Sequence, residues 1–453
     1  MRVLFAAHQF FPEHRAGTET LTLGLARALS ERGHETAVFA AKRSVPAGDI
    51  RPGAVQDYEF DGVPVRRVGR PQESLARSYR LNYDNPLMAL RLGEHLREFA
   101  PDVVHFTHLQ GLSANVIPAV KETGVPAVYT ATDFWTICPV VDLLRHDGAL
   151  CTGPDDAHCP RCVASRQPGS KVAEAVRRTP GPALSAAASL SRTSLSERLP
   201  ALERLRSLSE RPAYIRELVN SLDRILAPTH LMRDLLVRNG VREDLVEISR
   251  YGLDASHLDV SRKKDGSRTR FGFIGTLGPH KGLDLLLRAF RRLPPGLDAS
   301  LTIYGEPGGF EEFHERLRRM AEGDDRVSFA GPFPPERLGA VLSEMDVLVV
   351  PSRWYENAPL VVYSAFAAGI PVVATGVGGL SEVVEDGRNG LLFPLEDAEA
   401  LSRCLGRMAG EPGLLVRLRQ GIEPVKSLGE SAEEMESLYN GLVSTSDGER
   451  SGR

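Results

Sequence analysis

No run of 18 or more apolar residues occurs in the 453-residue chain, so no segment is suited to span a membrane. Excess charge is also lacking: the formal net charge is −4, which gives no reason to expect a nucleic-acid partner. A secretory leader is not expected either. The opening MRVLFAAHQFFP has one arginine and a short apolar stretch, but neither a sufficient apolar core nor a small-residue cleavage site. It reads as a first buried strand, and the expected location is the cytoplasm. Cysteine is scarce, five in all, and four of the five fall between 138 and 162. No internal repeat is present.

What remains is the composition of a large soluble enzyme. With 42% hydrophobic and 25% charged residues, the chain is ordinary for a globular protein, and its length exceeds a single core. Residues 346–394 are the most informative: DVLVVPSRWYENAPLVVYSAFAAGIPVVATGVGGLSEVVEDGRNGLLFP. The apolar run 347–350 is short and two-sided, as in a buried parallel strand. A loop then presents Glu356, and a helix is expected from near Pro359, where a missing N–H costs nothing. Gly369 suits the left-handed position after that helix, and Pro371 opens the next strand. Gly376, Gly378 and Gly379 precede a further helix from about Leu380. Two helix N-termini thus open at strand ends, where N–H groups and the helix dipole favour a phosphate. A carboxylate beside such an anion site can bind sugar hydroxyls, so the pattern points to a nucleotide-sugar site.

The same segment resembles the retaining, GT-B-fold glycosyltransferases of family four, whose signature is a Glu, seven residues and a second Glu. The match includes Pro351, Ser352, Glu356, Pro359, Leu360, Ala365, Gly369, Pro371, Gly378, Gly379 and Glu382. One position departs, since Ser364 stands where the family has its second Glu. In relatives the first Glu serves the hexose and the second grips the ribose hydroxyls. The resemblance also implies that amides near Asn357, Ala358, Leu360, Gly378 and Gly379 hydrogen-bond the donor.

The first half reads as another doubly wound domain, with strands at 2–7, 36–40, 102–106, 127–130 and 224–227. A helix is expected over 18–32, with Leu21, Leu25, Ala28 and Leu29 on one face. HQFFPEHRAGTETLTLGLARALSERGHETAVFA follows the family's opening pattern, and DVVHFTHL resembles its HxxH-like strand end. The resemblance implies that the loop holding Gly17 approaches the donor phosphates and the acceptor. His105 and His108 are read either as site groups or as hydrogen-bonded scaffold. In PAVYTATD, Thr132 and Asp133 stand where relatives often have His then Asp, and the family's His contacts the transferred sugar.

RFGFIGTLGPHKGLDLLLRAF opens the second domain with a strand at 271–274, a turn at Gly275 and an amphipathic helix over 282–290. Relatives carry an Arg near Thr276 and a Lys at Lys281, both on the donor diphosphate. Fixed cations there stabilise the charge of the departing group. Lys281 is retained, Thr276 supplies no charge, and His280 substitutes only in part. LTIYGEP resembles the next strand and turn, with Gly305 where the base packs and nothing that separates UDP from GDP.

Between the halves, Cys138, Cys151, Cys159 and Cys162 follow a C-x12-C-x7-C-x2-C spacing. Two readings stand: a closed structural zinc site, or reduced or redox-paired thiols. Residues 171–216 carry nine cations against four acids, and Leu195, Leu199, Leu202, Leu205 and Leu208 recur at helical spacing. That segment is either a helix packed on the domain or a basic amphipathic helix for an anionic bilayer.

The resemblance therefore implies a GT-B α/β protein of two doubly wound Rossmann-like domains facing across a cleft. Residues 1–230 would hold the acceptor, with the cysteine-containing and basic insertion at 138–214, and 255–425 the UDP- or GDP-sugar donor. Residues 426–453 would form a crossover helix and tail. The expected activity is hexosyl transfer with retention to a small-molecule, lipid-linked or glycan acceptor, without a catalytic metal because no DxD-type carboxylate pair is evident. Glu356, Lys281 and Asp133 are the expected catalytic residues. The alternative is a catalytically degenerate partner that binds a sugar nucleotide, motivated by Thr132, Thr276 and Ser364. Peripheral contact with the inner face of the membrane is the expectation attached to the basic segment.

Overall fold

Residues 3–7 of the opening segment are all buried, as a central parallel strand covered on both faces requires. The computed structural model describes residues 1–43, 50–70, 79–167, 170–193, 200–255, 258 and 268–451. The chain divides into two units, Met1–Tyr251 with Leu428–Arg453, and Gly252–Ser427.

The strands of the first unit are β1 (Arg2–Ala7), β2 (Glu35–Arg43), β3 (Val55–Phe60), β4 (Val63–Arg70), β5 (Val103–Phe106), β6 (Ala127–Thr130), β7 (Arg224–Ala227) and β8 (Val246–Ile248). Their order is β3-β4-β2-β1-β5-β6-β7-β8, parallel throughout except for the β3–β4 pair. The direction of winding reverses between β1 and β5. The five expected strands are present. Three more carry weak local signals: β3 is largely exposed and polar, Pro64 and Gly69 interrupt β4, and β8 is three residues long.

The helix Gly17–Glu31 buries Thr22, Leu25, Ala26 and Leu29, so Leu21 and Ala28 lie at the margin of the apolar stripe rather than within it. The last helix, Leu428–Ser451, belongs to this unit. Ala432, Met435 and Tyr439 enter the core that contains Val3, Phe5 and Leu29, and Arg32 pairs with Glu436 at 2.6 Å.

In the second unit, β9 (Thr269–Ile274), β10 (Ala299–Tyr304), β11 (Val327–Gly331), β12 (Val347–Val350), β13 (Val372–Thr375) and β14 (Gly390–Phe393) form an all-parallel sheet in the order β11-β10-β9-β12-β13-β14. Successive side chains of a strand point to opposite faces. Val347 and Val349 accordingly join one core with Phe271 and Leu401, and Leu348 and Val350 the other with Val362 and Phe366. Winding reverses between β9 and β12.

The insertion of the first unit forms the helices Cys159–Ser165, Lys171–Arg178, Gly181–Ser191 and Pro200–Val219. Leu195, Glu197, Arg198 and Leu199 lie outside the described residues. The last of these helices buries Ser207, Leu208 and Arg211. The Arg211 guanidinium lies 4.8 Å from the Trp135 ring centre and donates to the Trp135 carbonyl, which offsets part of the cost of burying a cation. Arg192 pairs with Asp156 and Arg206 with Glu210, so several cations of the basic segment serve internal contacts. Among the described residues no helix is long and apolar enough to cross a membrane.

Candidate active site

In a doubly wound sheet, the strands at which winding reverses leave a crevice at their carboxyl ends. In the second unit those strands are β9 and β12. β9 leads through Gly275 and Thr276 to the turn Pro279–Lys281, and β12 leads through Pro351 to Glu356. Gly282 brings the two loops together. Its φ is +70°, and a Cβ there would stand 1.9 Å from the Pro351 carbonyl oxygen, so no side chain fits. Arg353 fastens the same contact: its N–H donates to the His280 carbonyl at 2.8 Å, and its guanidinium pairs with Asp284 at 2.6 Å and with Glu396.

Three donors converge on Glu356 Oε1: Lys281 Nζ at 2.7 Å, Ser352 Oγ at 2.7 Å and Trp354 Nε1 at 2.8 Å. Burial alone would push the Glu356 carboxyl up. The Lys281 ammonium and the three hydrogen bonds outweigh it and hold the group below the ordinary carboxylate range. The Lys281 ammonium also lies 4.9 Å from the Trp354 ring centre, and the His280 ring is 4.7 Å from that indole.

Around this pair the other expected positions divide. Thr276 is exposed in the loop after β9, and Gly305 follows β10 and donates its N–H to the Gly331 carbonyl at 3.0 Å. Asn357 and Ala358 are buried beside Glu356, and Leu360 opens the helix Leu360–Ala367. Ser364 is buried in that helix, and its hydroxyl donates back to the Leu360 carbonyl at 2.9 Å. Gly378 has φ +62°. Gly379 differs from expectation. Its N–H donates to the Glu356 carbonyl at 2.8 Å, and a Cβ would lie 1.8 Å from the Asn357 carbonyl oxygen. That amide fixes the loop, and the helix it precedes, Leu380–Val383, is a single turn.

The first unit gathers a second polar cluster where its winding reverses. His8 follows β1 and His108 follows β5, and their rings stack 3.9 Å apart. The Gln110 N–H donates to His108 Nδ1 at 3.0 Å, which places that ring's proton on Nε2, 2.5 Å from Asp133 Oδ2. The other oxygen of Asp133 accepts the Trp135 N–H at 3.0 Å. Glu19, wholly buried in the helix that Gly17 opens, approaches His8 Nε2 at 3.6 Å. Burial, and then the electrostatic influence of the neighbouring His108 ring and the Arg70 guanidinium, holds His8 well below its ordinary value. The Thr132 hydroxyl donates to the Thr107 carbonyl at 2.7 Å. His105 is separate from this cluster: it is fully buried between Tyr439 and Thr130 as scaffold.

Cys138, Cys151, Cys159 and Cys162 line one cavity of about 400 Å³, and all four are free thiols. Burial pushes the Cys138 thiol up to about 11 and the Cys159 thiol to about 12, and the other three sulfurs add to the shift at Cys159. Cys159 Sγ accepts the Asp155 N–H at 3.2 Å, and Cys151 Sγ donates to the Gly153 carbonyl at 3.0 Å. Among the described residues no three His, Cys, Asp or Glu side chains are gathered closely enough to hold a metal ion.

Sequence reasoning does not single out Trp354, His8 or Glu19. Trp354 stands two residues before Glu356, and an indole that near a buried carboxylate is a donor within reach. His8 and Glu19 lie in the quoted opening stretch, but only the strand order places them beside His108.

Residues 16–252 match the family described as glycosyl transferase 4-like domain, and residues 268–411 match glycosyl transferases group 1. D-inositol 3-phosphate glycosyltransferase of Acidothermus cellulolyticus is 34% identical over 226 residues, covering 45% of this chain and 49% of that protein. The enzyme of the same name from Corynebacterium glutamicum is 29% identical over 258 residues, covering 51% and 61%. The chain thus spans about half the length of the curated relatives it matches. Among solved structures, sucrose-phosphate synthase from Thermosynechococcus elongatus superposes with a TM-score of 0.64 at 17% identity, covering 98% of this chain and 100% of that one. Anabaena Alr3699/HepE in complex with UDP and glucose gives 0.62 at 15% identity, covering 96% and 99%. These likenesses show the fold, two Rossmann-like α/β units of GT-B type. Because the 4-like match alone covers more than half of the sequence, the chain belongs to the group 1 and 4-like glycosyltransferases.

Proposed function

We propose that the chain transfers a hexose or related sugar from a UDP- or GDP-sugar to an acceptor hydroxyl, with retention at the anomeric carbon. The second unit takes the donor and the first unit the acceptor. The observation that carries this reading is the Lys281–Glu356 pair at the point where the second sheet reverses its winding. Glu356 accepts hydrogen bonds from sugar hydroxyls, and Lys281 neutralises the diphosphate. The bond from the anomeric carbon to the diphosphate oxygen breaks, and the diphosphate departs with the electron pair. The acceptor oxygen bonds to the same face of that carbon, and its proton passes to the departing phosphate. Asp133, held by His108 and the Trp135 N–H, offers its remaining lone pairs to an acceptor hydroxyl. The names of the curated relatives favour a phosphorylated polyol over a lipid-linked or glycan acceptor.

Two observations favour a second reading, a sugar-nucleotide-binding partner without turnover. The hydroxyls of Thr132 and Ser364 are both turned to backbone carbonyls rather than held free for a ligand. Incubation of the full chain with UDP-glucose or GDP-mannose and inositol phosphate separates the two. Release of the nucleoside diphosphate with formation of a glycoside supports transfer, and binding without release supports the partner reading.

The four cysteines are proposed to close on one structural zinc. Four soft donors around one cavity support this, and the ion would deprotonate thiols that burial keeps protonated. Closure requires the sulfurs to move inward from their present positions, and the zinc takes no part in transfer.

A further inference from the structure

If Glu356 takes sugar hydroxyls and Lys281 the diphosphate, as proposed above, their neighbours acquire a task, and the inference rests on that reading. The two groups are 2.7 Å apart, so a donor that engages both must separate them. Glu356 is about one-tenth exposed, and a carboxylate so enclosed is costly when its cation leaves unless other donors hold it. Two others do, and both are on Oε1: Ser352 Oγ and Trp354 Nε1. None of the three donors binds Oε2. The indole has a second contact, because the Lys281 ammonium lies 4.9 Å from its ring centre. A cation on an indole face keeps part of its stabilisation while its carboxylate bond is broken.

We propose that Trp354 is a positioning residue for sugar transfer: its N–H keeps Glu356 Oε1 fixed, and its ring keeps Lys281 close, while the diphosphate draws the ammonium off the carboxylate. The N–H acts on the sugar end of the donor and the ring on the diphosphate end. Ser352 shares the first task and has no part in the second. Local sequence offers little hint of this division, since one side chain serves two partners that lie 75 residues apart.

Substitutions separate the two tasks. Trp354→Phe keeps a ring and removes the N–H, whereas Trp354→Leu removes both. With the full chain, affinity for UDP and GDP alone is read by calorimetry, and turnover of UDP-glucose and GDP-mannose by nucleotide release. Trp354→Phe is expected to bind the nucleoside diphosphate as the wild type does and to lose about 10- to 100-fold in kcat, with KM little changed, the scale of one hydrogen bond to a charged group. Trp354→Leu is expected to lose diphosphate affinity as well. Ser352→Ala, a smaller change to the loop, should repeat the Phe pattern. The proposal is overturned if Trp354→Phe turns over like the wild type, if it weakens diphosphate binding as much as turnover, or if Leu and Phe bind diphosphate alike. A wild type that binds none of these nucleotides removes the underlying reading, and this proposal with it.

Discussion

The Tyr439 hydroxyl stands 2.6 Å from His105 Nδ1, joining side chains 334 residues apart inside the first unit. The other nitrogen of the ring lies 2.7 Å from Thr130 Oγ1, so one buried imidazole ties β5, β6 and the last helix together. Tyr439→Phe leaves His105 Nδ1 buried without its partner. Urea unfolding should show a loss of about 1–3 kcal/mol. An unchanged midpoint would mean that the Tyr439–His105 contact adds nothing to the hold on the last helix.

Burial also sets the acid limit of this unit. It lowers His105 to about 3 and His95 to about 4, with the Arg66 charge adding to the effect at His95. Both folded values lie below the ordinary 6.5, so protonation favours the unfolded chain. Their contribution is complete above about pH 6.5 and is lost as pH falls toward the folded values, at up to about 1.4 kcal/mol per pH unit for each histidine. Stability of the first unit that stays flat between pH 7 and pH 5 would contradict this assignment.

Lys281 and Glu356 make opposite predictions in wild type and mutant. Burial raises the Glu356 carboxyl, but with Lys281 present the net shift is downward, so its contribution is present above the ordinary carboxylate value and is lost only as pH falls below it. Lys281→Ala removes the ammonium that does most to oppose burial, and the carboxyl should rise. The mutant should then gain stability relative to wild type as pH falls from 7 toward 5, measured by thermal melts across that range. Its donor dissociation constant should rise in the same preparation.

Glu356→Gln should leave the fold intact and slow transfer by about 30- to 1,000-fold, or roughly 2–4 kcal/mol, because the amide keeps one acceptor oxygen for three donors and the sugar. Near-wild-type turnover removes Glu356 from the reaction.

Zinc analysis of chelator-free protein should find about one ion per chain. Cys159→Ser should release it and lower the melting temperature of the first unit, with nucleotide affinity unaffected because the cavity lies in that unit. Protein without metal would leave the four cysteines as free thiols around the cavity.

Ser364→Glu places a carboxylate at a buried position where the present hydroxyl is satisfied by the Leu360 carbonyl. The mutant should melt lower than wild type by itself. UDP or GDP should restore more than it gives wild type, with affinity tighter by about 1–2 kcal/mol, if the new group reaches the ribose. Equal nucleotide effects in both proteins would show that the pocket is built around the serine.

Local rules carried much of this protein into view from its sequence. The two-sided apolar run at 347–350 could be read because each residue of a buried strand meets one of two cores, whatever lies further along the chain. Pro359 and Gly369 marked the ends of a helix because ring closure and a positive φ are properties of single residues. Glu356 and Lys281 could be named from pattern, but their contact could not. It depends on Gly282 allowing two loops from non-consecutive strands to meet, and on Arg353 holding them. The same limit applies to His8 and His108, whose stacking follows from β1 lying beside β5, a pairing that no local signal encodes. His105 makes the point within one short motif: pattern placed it with His108, yet it faces Tyr439 in the core while His108 faces Asp133. The order of residues along the chain determined which side chains were available. The long-range order of the strands decided which of them meet, because side-chain interactions act over a few ångströms and only the assembled sheets bring those atoms within reach.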